Sequence, residues 1–338
     1  MTIDEDRIEV SLFVDQLDHS KRIDSFMASR MKRISRGRIT SMIENGNVFI
    51  NSRKVIKNST RVSYKDKISF YKSLPEEDDS PVNVEILHHN ADILIVGKGG
   101  DLTIHPTANA YKRTLTTWLK NNHLGEYTPG HRLDRETSGI VICAKKGQPS
   151  SVLKGLFFRR EIKKAYVALV KGTARNHFTV SDPLDFDTSS PIHIKMGVSE
   201  GGAPSETEFF SLGYGNNHSL LLCMPHTGRQ HQIRAHLESQ GVPIAGDKIY
   251  GQHPDIFLEF IETGMTEDLR KNLIFNRQML HAIAVQLPWD EKIQTFYMSP
   301  PNDFLEGCSM IGIDADEILR NMNSAIDEFF SGIEVQMR

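Results

Sequence analysis

Four short stretches hold the side chains whose types and spacing could do chemistry. They are His131-Arg132-Leu133-Asp134-Arg135-Glu136-Thr137-Ser138-Gly139, Lys164-Ala165-Tyr166, Thr227-Gly228-Arg229-Gln230-His231-Gln232-Ile233-Arg234 with its continuation to Gly251, and Leu280-His281-Ala282. The first sets a carboxylate between two arginines, on what reads as a loop feeding the apolar run Ile140-Val141-Ile142-Cys143-Ala144. An aspartate has an ordinary pKa of about 3.9, and nearby guanidinium groups lower it. Asp134 is therefore expected to be ionised at neutral pH, which suits a nucleophile or a stabiliser of developing positive charge better than an acid. In the third stretch the spacing predicts a helix over Arg229–Gln240, on which His231 and Arg234 share a face while Ile233 and Leu237 can turn to the core. Position alone makes Tyr166 an ordinary strand core residue.

Other chemistries fit these residues less well. His226, His231 and His236 are five apart, which spreads successive members about 140° around a helix and prevents them from converging on a metal. Asp134 and Glu136 sit two apart on one loop, whereas a glycosidase pair must face each other across a sugar. Ser138 has no nucleophile elbow around it. The expectation is a site without a metal.

The elements that must position these residues fall into two domains. The chain has 338 residues, 39% hydrophobic and 25% charged, with a formal net charge of −3, the makeup of an ordinary globular protein with ample core material. Its charge is unevenly spread: Lys21–Lys67 carries 13 Lys or Arg against 3 Asp or Glu, while Asn302–Arg338 carries 8 acidic against 2 basic residues. Cys143, Cys223 and Cys308 are far apart in apolar surroundings, so buried free thiols in a reducing compartment are expected rather than disulfides. The acidic start Met1-Thr2-Ile3-Asp4-Glu5-Asp6 lacks the apolar core of a secretory signal, and no run is long and apolar enough to span a membrane. A cytoplasmic protein is expected.

In chain order, residues 8–14 read as a short strand, and Ile23, Phe26, Met27 and Met31 follow a helical spacing. Ser35 reads as the N-cap of a helix from Arg36 to Asn45 with Ile39, Met42 and Ile43 inside, closed by Asn45-Gly46. Val48–Asn51 and Lys67–Tyr71 read as strands joined by a basic connection. The set Arg22-x-Asp24, Ser35-Arg36 and Ile43-x-x-Gly46-x-Val48-x-Ile50-Asn51 resembles the alpha-L (S-four-like) RNA-binding module. That resemblance covers about residues 19–72 and implies RNA contacts from Arg22, Arg36 and Arg38. Domain bounds of 1–74 for this module and 75–81 for a linker follow from Pro75-Glu76-Glu77-Asp78-Asp79-Ser80-Pro81, four acids between two prolines.

From 82 to 300 strand runs and helices occur without regular βαβ alternation, which argues for α+β with a mainly antiparallel sheet. The strands are read at Val84–Ile86, Ile93–Val96, Ile140–Ala144, Ala165–Val170, Glu206–Leu212 and Ser219–Met224, and further helices near Tyr111–Asn121 and Gln148–Phe157. The acidic extension 301–338 places apolar residues at Ile318, Leu319, Met322, Ile326, Phe329, Phe330 and Ile333, an amphipathic helix over about Asp314–Phe330 that docks on the second domain.

The motifs His-Arg-Leu-Asp-x-x-Thr-Ser-Gly and Gly-Arg-x-His-Gln-Ile-Arg, with Lys164-x-Tyr166 between them and Leu280-His281-Ala282 after, resemble the RluA-type pseudouridine synthases from roughly Val82 to Pro288. The resemblance implies a mixed-sheet catalytic domain that detaches uracil from its ribose at N1 and reattaches it through carbon 5, with no cofactor. It implies Asp134 as nucleophile or charge stabiliser at the sugar carbon, Arg234 as the guanidinium that holds and aims Asp134, and Tyr166 as the group that takes a proton. Such a phenol would need a nearby cation or hydrogen-bonded network, since tyrosine ordinarily titrates near 10. Arg132 is implied beside the flipped base, with Arg229 and His231 as further RNA contacts, and Arg135 is left as a solvated charge. Large-subunit ribosomal RNA is the expected substrate and a monomer the expected state. Transfer RNA, or a non-catalytic ribosome-associated RNA-binding protein, is the alternative. Two departures from the family pattern stand out: Lys98-Gly99-Gly100-Asp101-Leu102 lacks the usual proline, and Gln230 replaces a smaller residue.

Overall fold

A computed structural model describes residues 7–31, 36–73, 81–107, 110, 112–315, 319 and 322–332. Two compact units divide after residue 78, and most of the chain beyond forms the second. The expected Ser35 cap, the Arg38 side chain and all of the expected linker except Pro81 lie outside the described residues.

The first unit is an antiparallel sheet of β1 (Arg7–Phe13), β2 (Val48–Ile50), β3 (Arg53–Val55) and β4 (Lys67–Ser73), in the order β1-β4-β2-β3. Helices α1 (Ile23–Arg30) and α2 (Arg36–Glu44) bury Ile23, Phe26, Met27, Ile39 and Ile43 with Val48, Ile68 and Phe70 of the sheet. Helices of eight and nine residues are too short to stand alone in water, so this shared core is what holds them. The basic connection is itself partly a strand, β3, which its charge concealed in the sequence.

The second unit is built on a ten-stranded sheet. Its strands are β5 (Val84–His89), β6 (Ile93–Lys98), β7 (Tyr127–Pro129), β8 (Ser138–Lys145), β9 (Lys163–Lys171), β10 (His177–Val180), β13 (Thr207–Gly215), β14 (His218–Pro225), β15 (Leu280–Trp289) and β16 (Lys292–Tyr297). A two-stranded ribbon, β11 (Leu184–Phe186) with β12 (Met196–Val198), stands apart from it. The main path runs β10-β13-β14-β9-β15-β8-β6-β5, with β16 beside β15 and β7 beside β8. The fold class is the α+β, mainly antiparallel mixed sheet that the strand pattern predicts.

The sheet carries apolar layers on both faces. Alternate residues of β6 and β8 point to opposite sides, so Leu94, Val96, Val141 and Cys143 join one core while Ile93, Ile95, Ile140 and Ile142 join another. All three cysteines are buried free thiols.

One short pairing sets where the Asp134 loop lies. The one parallel pairing between strands among the described residues, β15 with β8, lasts only for His281↔Ser138 and Ala282↔Gly139. A bulge between Ala282 and Ala284 then carries β15 over to β16. Beyond Ala282 β16 takes the place of β8 beside β15, while the loop ahead of β8, with Asp134 in it, lies at the other end of the short pairing, against Arg277 and Gln278 just ahead of β15.

The extension differs from the expected single helix. Asn302–Met310 already forms a helix, and Phe304 and Cys308 on it join Met322, Ile326 and Phe330 of the Met322–Phe330 helix in the main core. Among the described residues no helix is long and apolar enough to cross a membrane.

Candidate active site

The loop from His131 to Thr137 is tied down residue by residue. His131 Nε2 accepts from the Ile142 amide at 3.0 Å. Burial, with Lys164 nearby, pushes this imidazole down to about 3, so it is neutral at pH 7. The Asp134 carbonyl accepts from the Thr137 amide at 3.1 Å. Buried Lys98 donates to the Arg135 carbonyl at 3.1 Å and to that of Gly99 at 2.9 Å. Burial takes its ammonium down to about 7. Lys248 reaches the Glu136 carboxylate at 2.6 Å, and Arg277 donates to the Glu136 carbonyl at 3.1 Å. Gln278 Nε2 donates to Thr137 Oγ1 at 2.6 Å. His281 Nε2 faces the Met298 carbonyl at 2.9 Å and must donate there, which leaves Nδ1 to accept from Ser138 Oγ at 3.0 Å. At Gly139, where φ is 120°, a Cβ would stand 2.3 Å from the Ala282 carbonyl oxygen. Only glycine lets β8 come this close to β15.

The helix expected over Arg229–Gln240 is shorter: α5 runs Gln232–Ser239, and His231 caps it in the left-handed region with φ 54°. His231 is thus off the helix face it was expected to share with Arg234, yet the two side chains still converge on Asp134. Arg234 Nη1 donates to Asp134 Oδ2 at 2.7 Å, and His231 Nε2 lies 3.9 Å from the same oxygen. Gln232 fixes the start of the helix. Its oxygen accepts from Thr227 Oγ1 and the Arg229 amide, and its nitrogen donates to the Glu206 carbonyl and Thr207 Oγ1. The amide is fully satisfied, as a buried one must be.

The guanidinium fork does not grip Asp134. Its two parallel bonds, Nε to Oδ2 at 2.7 Å and Nη2 to Oδ1 at 2.9 Å, go to Asp247, and Asp134 receives the remaining single contact. Asp247 is fully buried and also accepts from the amides of Ile249 and Tyr250 at 2.8 and 3.1 Å. The turn after Gly246 presents a fixed carboxylate to the Nε/Nη2 edge of the guanidinium, and Nη1 is left to reach Asp134. Tyr250 packs its ring 4.8 Å from the Arg234 guanidinium, and its hydroxyl lies 3.0 Å from His231 Nδ1 and accepts from the Met196 amide at 2.9 Å.

The electrostatics follow. Burial alone would raise Asp134, but Arg234, His231 and the hydrogen bonds from Arg234 and Gln278 outweigh it and hold the carboxyl at about 2. His231 is pushed down to about 4 by burial and by Arg234, so it is neutral at pH 7. The Asp134 side chain keeps 31% of its surface exposed against 7% for Arg234. An aimed, ionised carboxylate with an open face can act as a nucleophile or stabilise a neighbouring cation.

That open face looks into a cleft of about 620 Å³, within the range of small-molecule sites. Tyr166 and Lys164 line it, two apart and so on one face of β9. Tyr166 sits between Cys223 of β14 and Ala282 of β15. Burial and the Asp134 charge push its phenol up, the reverse of the lowering a standing base would need. Arg132 and Arg229 also line the cleft and are exposed, with Arg229 Nε donating to the Pro204 carbonyl at 3.3 Å.

Other expected residues fall elsewhere. Arg135 is not simply solvated: it donates twice to Asp101, at 3.1 and 2.8 Å, so the acid that departs from the family pattern has a partner. In the first unit Arg22 forks onto Asp24 at 3.1 and 2.7 Å, and Arg36 is exposed at the start of α2. Among the described residues no group of three His, Cys, Asp or Glu could hold a metal. Asp247, Lys248 and Tyr250 lie in the third stretch but had no role assigned from the sequence, and Arg277 and Gln278 were not singled out. The one available signal was Gly246-Asp247-Lys248, two opposite charges inside an otherwise apolar run.

Residues 92–239 match a family model described as RNA pseudouridylate synthase. The chain is 28% identical over 330 residues to the ribosomal large subunit pseudouridine synthase D of Escherichia coli (strain K12), covering 92% of this chain and 97% of that protein. It is 28% identical over 311 residues to the ribosomal large subunit pseudouridine synthase C of Buchnera aphidicola subsp. Acyrthosiphon pisum (strain APS), covering 86% and 93%. Among solved structures, human RNA pseudouridylate synthase domain containing 1 superposes with a TM-score of 0.56 at 25% identity, over 73% of this chain and 98% of that one.

Proposed function

The chain belongs to the RluA-type RNA pseudouridine synthases, which are isomerases, and on that premise we propose that it acts on large-subunit ribosomal RNA with Asp134 as its nucleophile. The observation that carries the catalytic assignment is the 2.7 Å contact from Arg234 to Asp134, made by a guanidinium whose other edge is locked on buried Asp247. Such an arginine cannot swing away, so Asp134 is held ionised with one oxygen facing the cleft.

In the isomerisation the bond from the sugar carbon C1′ to N1 breaks as the Asp134 carboxylate meets C1′. The freed uracil turns in the cleft, its C5 bonds to C1′, and the carboxylate leaves. The proton on C5 must then be lost, and N1, left bare by the broken bond, must gain one, so that no net proton is released. Tyr166 is the candidate to receive the proton from C5. Because its phenol is protonated at neutral pH, its oxygen takes the C5 proton only as its own proton passes on, a relay rather than a standing phenolate. Arg132, exposed at the cleft, is assigned to the space beside the flipped base. Flipping costs a few kcal/mol, which contacts to the surrounding nucleotides must offset.

The ribosomal assignment leans on the relatives named for the large ribosomal subunit, which align over nearly the whole chain. Incubating the protein with unmodified large-subunit rRNA and with unmodified tRNA, then counting pseudouridine in each, tests it. Product in rRNA alone is expected. Product in tRNA alone would overturn the substrate assignment, and binding without product in either would overturn the catalytic one.

A further inference from the structure

Helix α4 (Gln148–Phe158) ends at the rim of the cleft. Two backbone bonds close it: Arg160 N to the Phe157 carbonyl at 3.1 Å and Glu161 N to the Leu156 carbonyl at 3.0 Å. This reciprocal pair requires a left-handed residue just past the cap, a place ordinarily filled by glycine. Here it is Arg160, with φ 60°. A side chain in that conformation is disfavoured, and the helix closure gains nothing from its being arginine. Phe158, at the last turn, is 88% exposed, a large aromatic surface left in water.

Both misfit side chains line the cleft that holds Asp134. Arg159, between them, is turned onto Glu161 at 2.5 Å and is not part of the lining. The cap is also fixed against the reacting loop. The Phe157 ring lies 5.1 Å from that of His131, and a Cβ on Gly130 would stand 2.3 Å from Leu153 of the same helix. Whatever Phe158 and Arg160 hold is therefore held at a set distance from Asp134.

The surrounding charge says what that is. Among the described residues, Arg234 is the one Arg or Lys of the lining tied to a carboxylate; Arg132, Arg160 and Lys164 have no such partner. The single acid of the lining is Asp134, already committed to Arg234. An exposed aromatic face beside unpaired cations fits a ligand that is itself half aromatic and half phosphate. When an enzyme draws one base out of its stack, the neighbouring base loses a stacking partner and needs another.

We propose that the C-terminal cap of α4 is a subsite for the nucleotide next to the target uridine, with Phe158 stacking on its base and Arg160 holding its phosphate. The inference rests on RNA being the substrate and is independent of which RNA that is. The test titrates the full chain against fluorescein-labelled oligouridylate, followed by anisotropy at several salt concentrations. Phe158→Ala should weaken binding about tenfold with the salt slope unchanged, since stacking is largely uncharged. Phe158→Trp should bind within about twofold of the parent. Arg160→Gly should flatten the salt slope by about 0.7 while melting at the same temperature or higher, because glycine relieves the strained cap. Parental affinity in Phe158→Ala, an unchanged slope in Arg160→Gly, or no binding of oligouridylate by the parent would each overturn the subsite. The oligonucleotide carries no ribosomal sequence, so a wrong ribosomal assignment would leave these outcomes untouched.

Discussion

In the first unit Arg22 is held by Asp24 two residues away, with the cationic side chain about half exposed. In the second unit Arg234 and Lys248 are buried, and they reach carboxylates 13 and 112 residues distant. Exposed local pairs are worth about 0–1 kcal/mol, so a phosphate can displace the acid at little cost. Breaking a buried pair costs roughly 3–5 kcal/mol, so its geometry is set before any substrate arrives. The first arrangement suits a surface that trades partners, and the second a site whose charges must already be aimed.

The contrast is tested hardest at its most committed charge. Asp134→Asn keeps the shape and one oxygen that can accept from Arg234 but removes the negative charge at the sugar carbon. Single-turnover pseudouridine formation should fall by roughly 10³-fold or more, while RNA affinity stays within about twofold. Appreciable product from this variant would take Asp134 out of the chemistry.

Asp247→Ala leaves a buried guanidinium with only one carboxylate. Denaturant unfolding should show a loss of roughly 3–5 kcal/mol, against about 1 kcal/mol or less for Asp24→Ala in the first unit. Equal losses would erase the distinction between the two regions. Arg234→Lys then separates charge from geometry. An ammonium supplies the charge but cannot hold Asp247 with a fork and Asp134 with the remaining nitrogen, so turnover should drop on the order of 10²-fold. A near-normal rate would mean that any cation there suffices.

The two regions were not equally legible in the sequence. The strands of the second unit announced themselves because both faces of β6 and β8 are buried, which leaves unbroken apolar runs. Asp134 and Arg234 could be paired only through family motifs, since no local rule joins residues 100 apart. Asp247 could not be assigned a role, because an Asp after Gly and before Lys reads like a solvated turn until the chain folds the turn inward. His231 was placed on the helix because nothing in its type signals a left-handed backbone. Arg22 looked like an open grip on phosphate. Its fork is taken by an acid two residues away, which the spacing permits but does not require. The helix at Asn302–Met310 was missed because the extension's acidity drew attention from Phe304 and Cys308, which are fully buried.

Burial also sets how the second unit responds to acid. His231 and His281 are pushed down to about 4 by burial, from an ordinary 6.5. Between those values the unfolded chain binds more protons than the folded one, so stability is full above about 6.5 and falls as the pH drops toward 4. Each contributes roughly 1 kcal/mol per pH unit in that window. Asp134, held at about 2, adds its loss only below its ordinary value of 3.8. Urea midpoints should therefore fall between pH 6.5 and 4.5, and replacing His281 by Asn should shallow that fall. A flat midpoint down to pH 4.5 would mean that these imidazoles are not held neutral.

The smallest expected effect lies in the first unit and turns on Asp24. If the Arg22–Asp24 pair is a resting state that phosphate displaces, the acid competes with RNA for the same guanidinium. Asp24→Asn should then free Arg22, tightening RNA binding by about two- to threefold and steepening its salt dependence by up to about 0.7–0.9. Arg22→Gln should do the opposite on both measures, and Arg36→Gln, which breaks no described pair, should flatten the slope by a similar amount. None of the three should alter the single-turnover rate at saturating RNA, because no group that faces Asp134 is touched. Weaker binding in Asp24→Asn would show instead that the acid orients Arg22 for its ligand, making the short exposed pair a positioning device like the buried ones rather than their opposite.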